Sequence, residues 1–175
     1  MDLQIKKEQI NHWYHEFSHD LFNYICFLIR DHDHAKDILQ DTFLRAFNHI
    51  DSFRGDNVRG WLFRIARNTA IDEMRKKKPI TYFLETLPIM QTTEYTPEQI
   101  AVLNESEREL YVALSKLKLS YRDVIILRKI KEFSIKETAS ILGWSENKVK
   151  VNLFRGMKAL RKELEKENFS HETVR

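Results

Sequence analysis

The 175-residue sequence is poor in cysteine, proline and glycine, with one, three and four of them respectively. A single cysteine cannot form an internal disulfide, so Cys26 is expected to be a small core residue in a reducing compartment. Because helix breakers are scarce and Leu, Ile, Glu, Lys and Arg recur every three or four residues, the sequence predicts an almost entirely helical fold.

Long apolar runs are also missing. Every run is shorter than the roughly 20 residues that a membrane span needs. The residues after Met1 are acidic and polar and do not form a signal-peptide pattern. We therefore expect a cytoplasmic protein.

Lys and Arg are absent between residues 79 and 107, a segment that contains five glutamates and all three prolines. Proline disfavours helix there, and the composition changes on both sides. We interpret residues 79–107 as a flexible acidic linker that joins two small helical domains, residues 1–78 and 108–175. A long ordered loop within one domain is the alternative, but such loops are uncommon in compact domains.

Two helices are predicted near the start of the chain, and the second has a polar outer face that includes a leucine. The first spans about residues 10–29, and the second starts near residue 31. The buried arc of the second contains Ala35, Ile38, Leu39, Thr42, Phe43, Ala46 and Phe47. Its opposite arc holds Asp37, Gln40, Asp41, Leu44 and Asn48. An apolar residue ringed by polar groups suits a protein-docking surface, although an ordinary solvated face has a similar composition.

The third predicted helix lies in "WLFRIARNTAIDEMRKKK", residues 61–78. Its inward face consists of Leu62, Ile65, Ala66 and Thr69. A second side carries Arg64, Arg67, Asn68, Arg75 and Lys78. Cations at a helix C-terminus also suit its dipole, but this stripe already begins at Arg64, which favours a surface that faces phosphates. The preceding loop contains Gly55 and Gly60 and carries Phe53, Arg54, Asn57 and Arg59, a composition that suits single-stranded bases.

The segment "SIKETASILGWSENKVKVNLFRGMKALRKEL" predicts a helix, a tight turn and a second helix. Ser134 and Glu137 have capping-box spacing, Gly143 ends the first helix, and Ser145 caps the second. An inward stripe on the second helix contains Val149, Leu153, Gly156, Leu160 and Leu164. The preceding helix is expected to bury Val124, Leu127 and Ile130.

The opposite side of that second helix mixes cations and an amide with exposed apolar residues. It contains Asn147, Lys148, Lys150, Val151, Phe154, Arg155 and Lys158. In a DNA major groove, cations bind phosphates, Arg and Asn contact base edges, and apolar groups contact thymine methyls. The pattern favours a DNA-recognition helix.

Three motifs in order resemble the bacterial RNA polymerase sigma factors of the extracytoplasmic-function (ECF) group. "AKDILQDTFLRAF" resembles the region 2 segment that docks on the polymerase clamp. "SFRG" with "WLFRIARNTAIDEMRKKK" resembles the segment that recognises and melts the −10 element. "RDVIILRKIKEFSIKETASILGWSENKVKVNLFRGMKALRKEL" resembles region 4, and the resemblance covers nearly the whole chain.

The resemblance implies an alternative sigma factor with an all-α fold, in which a region 2-like bundle and a region 4-like helix-turn-helix domain are joined by the linker. It places Asp37, Gln40, Asp41 and Leu44 on core polymerase. It places Phe53 and Asn68 at the flipped-out base of the −10 element, and Arg54, Asn57, Trp61, Arg64, Arg67, Arg75 and Lys78 along that element. The −35 element is assigned to Asn147, Lys148, Lys150, Val151, Phe154, Arg155 and Lys158.

The partners implied by the resemblance are core RNA polymerase, duplex −35 DNA, single-stranded −10 DNA and an anti-sigma factor, including a membrane-anchored one. A role in a stress response is also implied. No cofactor, metal or small-molecule substrate is expected. His15 and His19 have a metal-ligand spacing, but no Cys or acid cluster completes a site. No P-loop, nucleophile elbow or dinucleotide fingerprint occurs, so we expect no catalytic activity.

Two other classes of protein remain open from the residues alone. A helix-turn-helix repressor or activator would account for the recognition helix but gives no task to residues 53–78. A helical protein-interaction module would account for the face around Leu44 but not for the recognition helix. Transcription from a promoter by added core polymerase separates these classes.

Overall fold

The computed structural model describes residues 1–77 and 104–173, and the regular secondary structure in these ranges is entirely helical. The predicted all-α fold is thereby confirmed for the described part of the chain. Most of the predicted linker lies outside the described residues.

The first half contains three long helices. They are α1 (Leu3–Ile29), α2 (His32–His49) and α3 (Val58–Lys77), with a short 3₁₀ turn (Ile50–Ser52) after α2. The helix α1 begins seven residues before the predicted start at residue 10, and it is terminated by Arg30, the next residue, whose φ of 58° is left-handed. Three helices packed side by side give this half its core.

The inward faces of these helices agree with the predicted periodicity. On α2 the buried set is Ala35, Ile38, Leu39, Thr42, Phe43 and Ala46, and Phe47 is half-buried. On α3, Leu62, Ala66 and Thr69 are buried and Ile65 is half-buried. The same helices are thus left with two outward surfaces, one around Leu44 and one along Arg64 and Asn68.

The second half contains four helices. They are α4 (Glu105–Ser115), α5 (Leu119–Ile125), α6 (Ile135–Leu142) and α7 (Glu146–Thr173), and α5 continues into a π-helical turn (Ile126–Ile130). The start of α4 is fixed by a capping box between Asn104 and Glu107. The helix therefore begins before Glu107, where the predicted linker ends.

The expectation that Ile130 faces inward is wrong, since 36% of this residue is exposed. In the π-helical turn the Lys131 amide bonds to the Ile126 carbonyl at 2.8 Å, a spacing of five residues. The wider turn rotates the side chains away from the positions that an α-helical period gives. Phe133 fills the interior instead and is 2% exposed.

The helix-turn-helix of α6 and α7 has the predicted caps. The Ser134 hydroxyl accepts a hydrogen bond from the Glu137 amide at 3.1 Å, and the Glu137 carboxylate accepts one from the Ser134 amide at 2.7 Å. Gly143 ends α6 with a φ of 67°, and the Ser145 hydroxyl accepts a hydrogen bond from the Lys148 amide at 3.1 Å. These local bonds set the angle at which α7 leaves the turn.

The two halves pack against each other, and we call this packing the closed arrangement. The helix α3 contacts α6, and α1 contacts α5. At the centre, the ring of Phe63 meets the ring of Phe133 edge-on with centroids 5.0 Å apart. Buried apolar residues of both halves form one continuous core, so the position of the recognition helix is defined relative to α3.

Candidate protein and nucleic-acid interfaces

The predicted docking face lies on the outer side of α2. Asp37 and Gln40 are exposed, Asp41 is half-buried, and Leu44 is 59% exposed. The Arg45 Nε donates to Asp41 at 3.0 Å, and its Nη1 donates to Asp72 of α3 at 3.3 Å. Arg45 therefore fixes the direction of the Asp41 carboxylate beside an exposed leucine.

Asn57 caps the N-terminus of α3. Its side-chain oxygen accepts a hydrogen bond from the Gly60 amide at 2.8 Å, and its side-chain nitrogen donates to Glu137 of α6 at 3.1 Å. A Cβ on Gly60 would lie 2.7 Å from the Asn57 side-chain nitrogen, so glycine leaves the room that the cap requires. Asn57, one of the residues predicted at the −10 element, is thus hydrogen-bonded to the second half in the closed arrangement.

Phe53 belongs to an aromatic cluster with Trp13 and Trp61. Its ring centroid lies 4.8 Å from that of Trp61 and 6.0 Å from that of Trp13. Phe53 and Trp61 are half-buried, so each presents only part of its ring to solvent. The neighbouring Arg54 is exposed and donates to the Asp51 carbonyl at 2.6 Å.

The basic stripe of α3 is exposed at most of its described positions. Arg64, Asn68 and Arg75 are exposed, and Lys78 lies outside the described residues. Arg67 differs, because only 18% of its side chain is exposed and its Nε donates to a carboxylate oxygen of Asp123 at 3.0 Å.

Asp123 of α5 is a buried carboxylate that no motif or periodicity in the sequence singles out. Its side chain is 1% exposed and accepts hydrogen bonds from Arg67 and from the Tyr24 hydroxyl, the latter at 2.7 Å. Burial raises its pKa, and the positive charge of Arg67 opposes the rise only in part. The carboxylate is therefore held at the junction of both halves by two donors from the first half.

Arg122, next in the chain, crosses the same junction. Its guanidinium donates to the Leu28 carbonyl at 2.9 Å, and burial lowers its pKa to about 10. In the opposite direction, Arg30 donates to the Ser115 carbonyl at 2.8 Å. Two charged residues in succession, Arg122 and Asp123, are normally typical of a solvated surface, which explains why their burial was missed.

A second charged cluster surrounds Asp20 of α1. One carboxylate oxygen accepts from Arg59 at 2.9 Å, and the other accepts from Lys131 at 2.6 Å. Burial disfavours the ionised form of Asp20, but Lys131 and Arg59 outweigh it and lower its pKa. The Arg59 guanidinium also lies 4.2 Å from the ring centroid of Phe133, and so it bridges both halves.

The outer face of α7 presents the residues that were predicted at the −35 element. Phe154 is 73% exposed and Val151 is 44% exposed, and the polar members Asn147, Lys150, Arg155 and Lys158 are exposed around them. Lys148 is exposed too, but its ammonium lies 4.5 Å from the Trp144 ring centroid. A large aromatic side chain that is exposed among cations is typical of a binding surface and not of a face that contacts only solvent.

The remaining expectations from the sequence concern the state of Cys26, metal binding and membrane-spanning segments. Cys26 is half-buried, and burial raises its pKa to about 12, which keeps the thiol protonated. Within residues 1–77 and 104–173, His, Cys, Asp and Glu form no group of three or more that could hold a metal. In the same ranges, every helix is too short or too polar to cross a membrane.

Comparison with known proteins identifies both halves. Residues 13–80 match the family Sigma-70 region 2, and residues 107–160 match the family Sigma-70, region 4. The chain is 36% identical to the ECF RNA polymerase sigma factor SigX of Bacillus subtilis, over 87% of this chain and 81% of that protein. It is 37% identical to the ECF RNA polymerase sigma factor SigW of the same organism, over 80% of this chain and 81% of that protein.

The solved structures include a similar chain. The sigma factor RpoE of Bartonella quintana, in complex with the anti-sigma factor NepR, matches with a TM-score of 0.75 and 27% identity, over 90% of this chain and 98% of that one. CnrH, in complex with the cytosolic domain of CnrY, matches with a TM-score of 0.67 over 91% of this chain and 89% of that one, and its 22% identity shows the fold alone.

Proposed function

Because the chain belongs to the ECF group of the sigma-70 family, we propose roles for three of its surfaces in promoter-specific initiation. The protein is an alternative RNA polymerase sigma factor that binds core polymerase and promoter DNA. The observation that supports the assignment of roles is that one chain carries an exposed apolar anchor on α2 and a basic recognition face on α7.

The face of α2 is proposed to dock on core polymerase through Asp37, Gln40, Asp41 and Leu44. Leu44 supplies an apolar anchor that is 59% exposed, and the carboxylates around it supply charge complementarity to a basic partner. Because Arg45 holds Asp41 in place, this carboxylate loses less side-chain freedom on binding than a free one would.

The −10 element is proposed to bind along α3 and the loop before it. Exposed Asn68 has amide donors and an acceptor for a base edge, and Arg64 and Arg75 lie on the same side of the helix for the backbone. Phe53 and Trp61 present partly exposed rings on which an unpaired base can stack. Arg54, Asn57, Arg67 and Lys78 complete the proposed set.

The −35 element is proposed to lie against α7. Arg155 and Lys150 are placed for base edges or phosphates, and Val151 and Phe154 are placed for apolar contacts such as thymine methyls. Asn147, Lys148 and Lys158 flank them. Lys148 is held over Trp144, and its charge is therefore assigned to phosphate.

An anti-sigma factor is the proposed regulatory partner, since the RpoE relative was solved in complex with one. Sigma factors are regulatory DNA-recognition proteins rather than catalysts, and we propose the same for this chain. We propose that it acts in the cytoplasm, together with RNA polymerase.

The decisive experiment is transcription in vitro. Purified protein is added to core polymerase with a library of genomic fragments, and the 5′ ends of the transcripts are mapped. We expect starts at a shared promoter motif that depend on the added protein. A helix-turn-helix repressor or activator would bind fragments without starting transcription from core enzyme, and an interaction module would do neither.

A further inference from the structure

We propose that the ion pair between Lys6 and Asp51 positions the loop before α3, residues 53–57, for the capture of an unpaired −10 base. The inference rests on the proposed roles of Phe53 and Asn68. It adds two positioning residues that lie outside the proposed contact set and that act through Phe53 and Arg54.

The first observation concerns the start of α1. This helix begins at Leu3, about two turns before the predicted start at residue 10. Leu3 is 57% exposed and Ile5 is 53% exposed, so these turns add little to the core. Lys6 differs from them, because only 19% of its side chain is exposed and its ammonium pairs with a carboxylate oxygen of Asp51. The first turns of α1 therefore contact the turn that leads into the loop.

The second observation is that Asp51 is connected to two residues predicted at the −10 element. The Phe53 amide donates to the carbonyl of the buried Ile50 at 3.1 Å, and the Arg54 Nη1 donates to the Asp51 carbonyl at 2.6 Å. The amino group of Met1 lies 3.5 Å from the other carboxylate oxygen of Asp51. Holding this side chain therefore limits the movement of the turn that carries Phe53 and Arg54.

The third observation is a second contact from the same face of α1. Trp13 lies seven residues after Lys6, which places both side chains on one side of the helix. The ring of Trp13 is buried and meets the ring of Phe53 edge-on, with centroids 6.0 Å apart. One face of α1 thus holds the loop at two points, the backbone turn at Asp51 and the stacking ring at Phe53.

The fourth observation is that Asp51 is an acid next to a surface proposed to bind DNA. The hydrogen bond from Lys6 holds the pKa of Asp51 below its ordinary value of 3.8, so the carboxylate is ionised at neutral pH. A negative charge at this place repels phosphate, and an exposed ion pair adds little to the free energy of unfolding. Positioning of the loop gives the carboxylate a role that neither stability nor DNA attraction supplies.

The test measures strand opening by the holoenzyme on a promoter defined by the mapped 5′ ends, with a fluorescent adenine analogue in the −10 element. Charge and positioning predict opposite signs for Asp51→Asn. Loss of a repelling charge would accelerate opening, whereas loss of positioning slows it. We expect the opening rate to fall by about fivefold, because a less precisely placed ring captures the unpaired base less often. Closed-complex affinity and the unfolding temperature should stay unchanged.

Further variants isolate the ion pair. Lys6→Met keeps the aliphatic stem, removes the charge and should slow opening as Asp51→Asn does. The double variant should be no slower than either single one, since both remove the same interaction. Lys6→Arg retains a cation and should open the promoter nearly as the parent does. Asp56→Asn removes another exposed acid of the same loop, leaves the pair with Lys6 intact and should not slow opening.

The proposal is overturned if Asp51→Asn and Lys6→Met are folded and open the promoter at the rate of the parent or faster. Equal slowing by Asp56→Asn would also overturn it, as would an unfolding temperature that falls together with the rate.

Asn68→Ala is measured alongside to separate this proposal from base capture itself. Normal opening by Asn68→Ala means that base capture fails as a function. If Asn68→Ala is defective while Asp51→Asn and Lys6→Met behave as the parent does, only the positioning role fails.

Discussion

The hydroxyl of Tyr24 donates a hydrogen bond of 2.7 Å to Asp123, and both side chains are buried. This bond joins α1 to α5, and Arg67 of α3 meets the same carboxylate. A single acceptor thus links three helices from both halves of the chain.

Tyr24→Phe is expected to lower the free energy of unfolding by about 1–3 kcal/mol, because a buried carboxylate loses one of its donors. Urea unfolding followed by circular dichroism measures the change. Tyr14→Phe is the matched control, since Tyr14 is 42% exposed and should unfold as the parent does. Equal stabilities of Tyr24→Phe and the parent would show that this hydrogen bond adds nothing.

The pH dependence of stability should carry the signature of Asp123. Its pKa is raised above the ordinary value of 3.8, so between these two values the folded chain holds a proton that the unfolded chain has lost. The free energy of unfolding contributed by this group therefore falls as pH rises through that window. Tyr24 is neutral there and Arg122 stays charged, because their pKa values lie well above that window.

Urea unfolding at a series of pH values tests this by difference. The slope above pH 3.8 should be less negative in Asp123→Asn than in the parent. Asp20 has a lowered pKa, and the stability that it contributes is lost only as pH falls below its ordinary value. Superimposable profiles of Asp123→Asn and the parent would contradict the assignment.

Leu44→Arg is expected to abolish binding to core polymerase and leave the fold intact, because the side chain is exposed and its loss removes the apolar anchor. Co-purification with core enzyme measures binding, and thermal unfolding measures the fold. Leu3→Arg, at a residue that is 57% exposed on α1, should bind normally. Retained binding by Leu44→Arg would place the docking surface elsewhere.

Arg155→Ala should weaken binding to the preferred −35 sequence by about 1–3 kcal/mol and have little effect on random DNA, if the guanidinium contacts base edges. Fluorescence anisotropy with the full chain and both duplexes measures the difference. Arg161→Ala removes another exposed cation of α7 and serves as the control. Equal losses on both duplexes would mean that Arg155 contacts phosphate only.

Asn68→Ala is expected to suppress strand opening and leave closed-complex binding nearly unchanged, since capturing an unpaired base must offset a few kcal/mol of unstacking. Permanganate footprinting of −10 thymines measures opening, and gel shift measures binding. Asn68 is a cleaner probe than Phe53, because Phe53 also packs on Trp13 and Trp61. Normal opening by Asn68→Ala on a fully paired promoter would refute base capture.

Features set by neighbouring residues were predictable from the sequence. The capping box of Ser134 and Glu137 and the left-handed Gly143 depend on local spacing and backbone sterics, and both were found. The buried faces of α2 and α3 follow from helical periodicity in the same way.

Features set by distant parts of the chain were not predictable. The burial of Asp123 depends on Tyr24 and Arg67, which lie in other helices. No local sequence pattern predicts these contacts. The exposure of Ile130 depends on a π-helical turn, for which the sequence carries no simple signal. The same limit applies to Arg67. Its position in the basic stripe predicts a contact with DNA, but in the structure its guanidinium is bonded to Asp123.

Gly156 lies next to Arg155, but the two positions have opposite freedom to vary. A Cβ on Gly156 would lie 3.2 Å from Ile125 and from the Tyr121 side chain, and 3.4 Å from the Tyr121 backbone. A Cβ there would require Tyr121 or Ile125 to shift by a few tenths of an ångström, whereas Arg155 and Phe154 are exposed to solvent. Promoter preference can therefore drift through single substitutions on the outer face during evolution, while the inner face at Gly156 has little room for added volume.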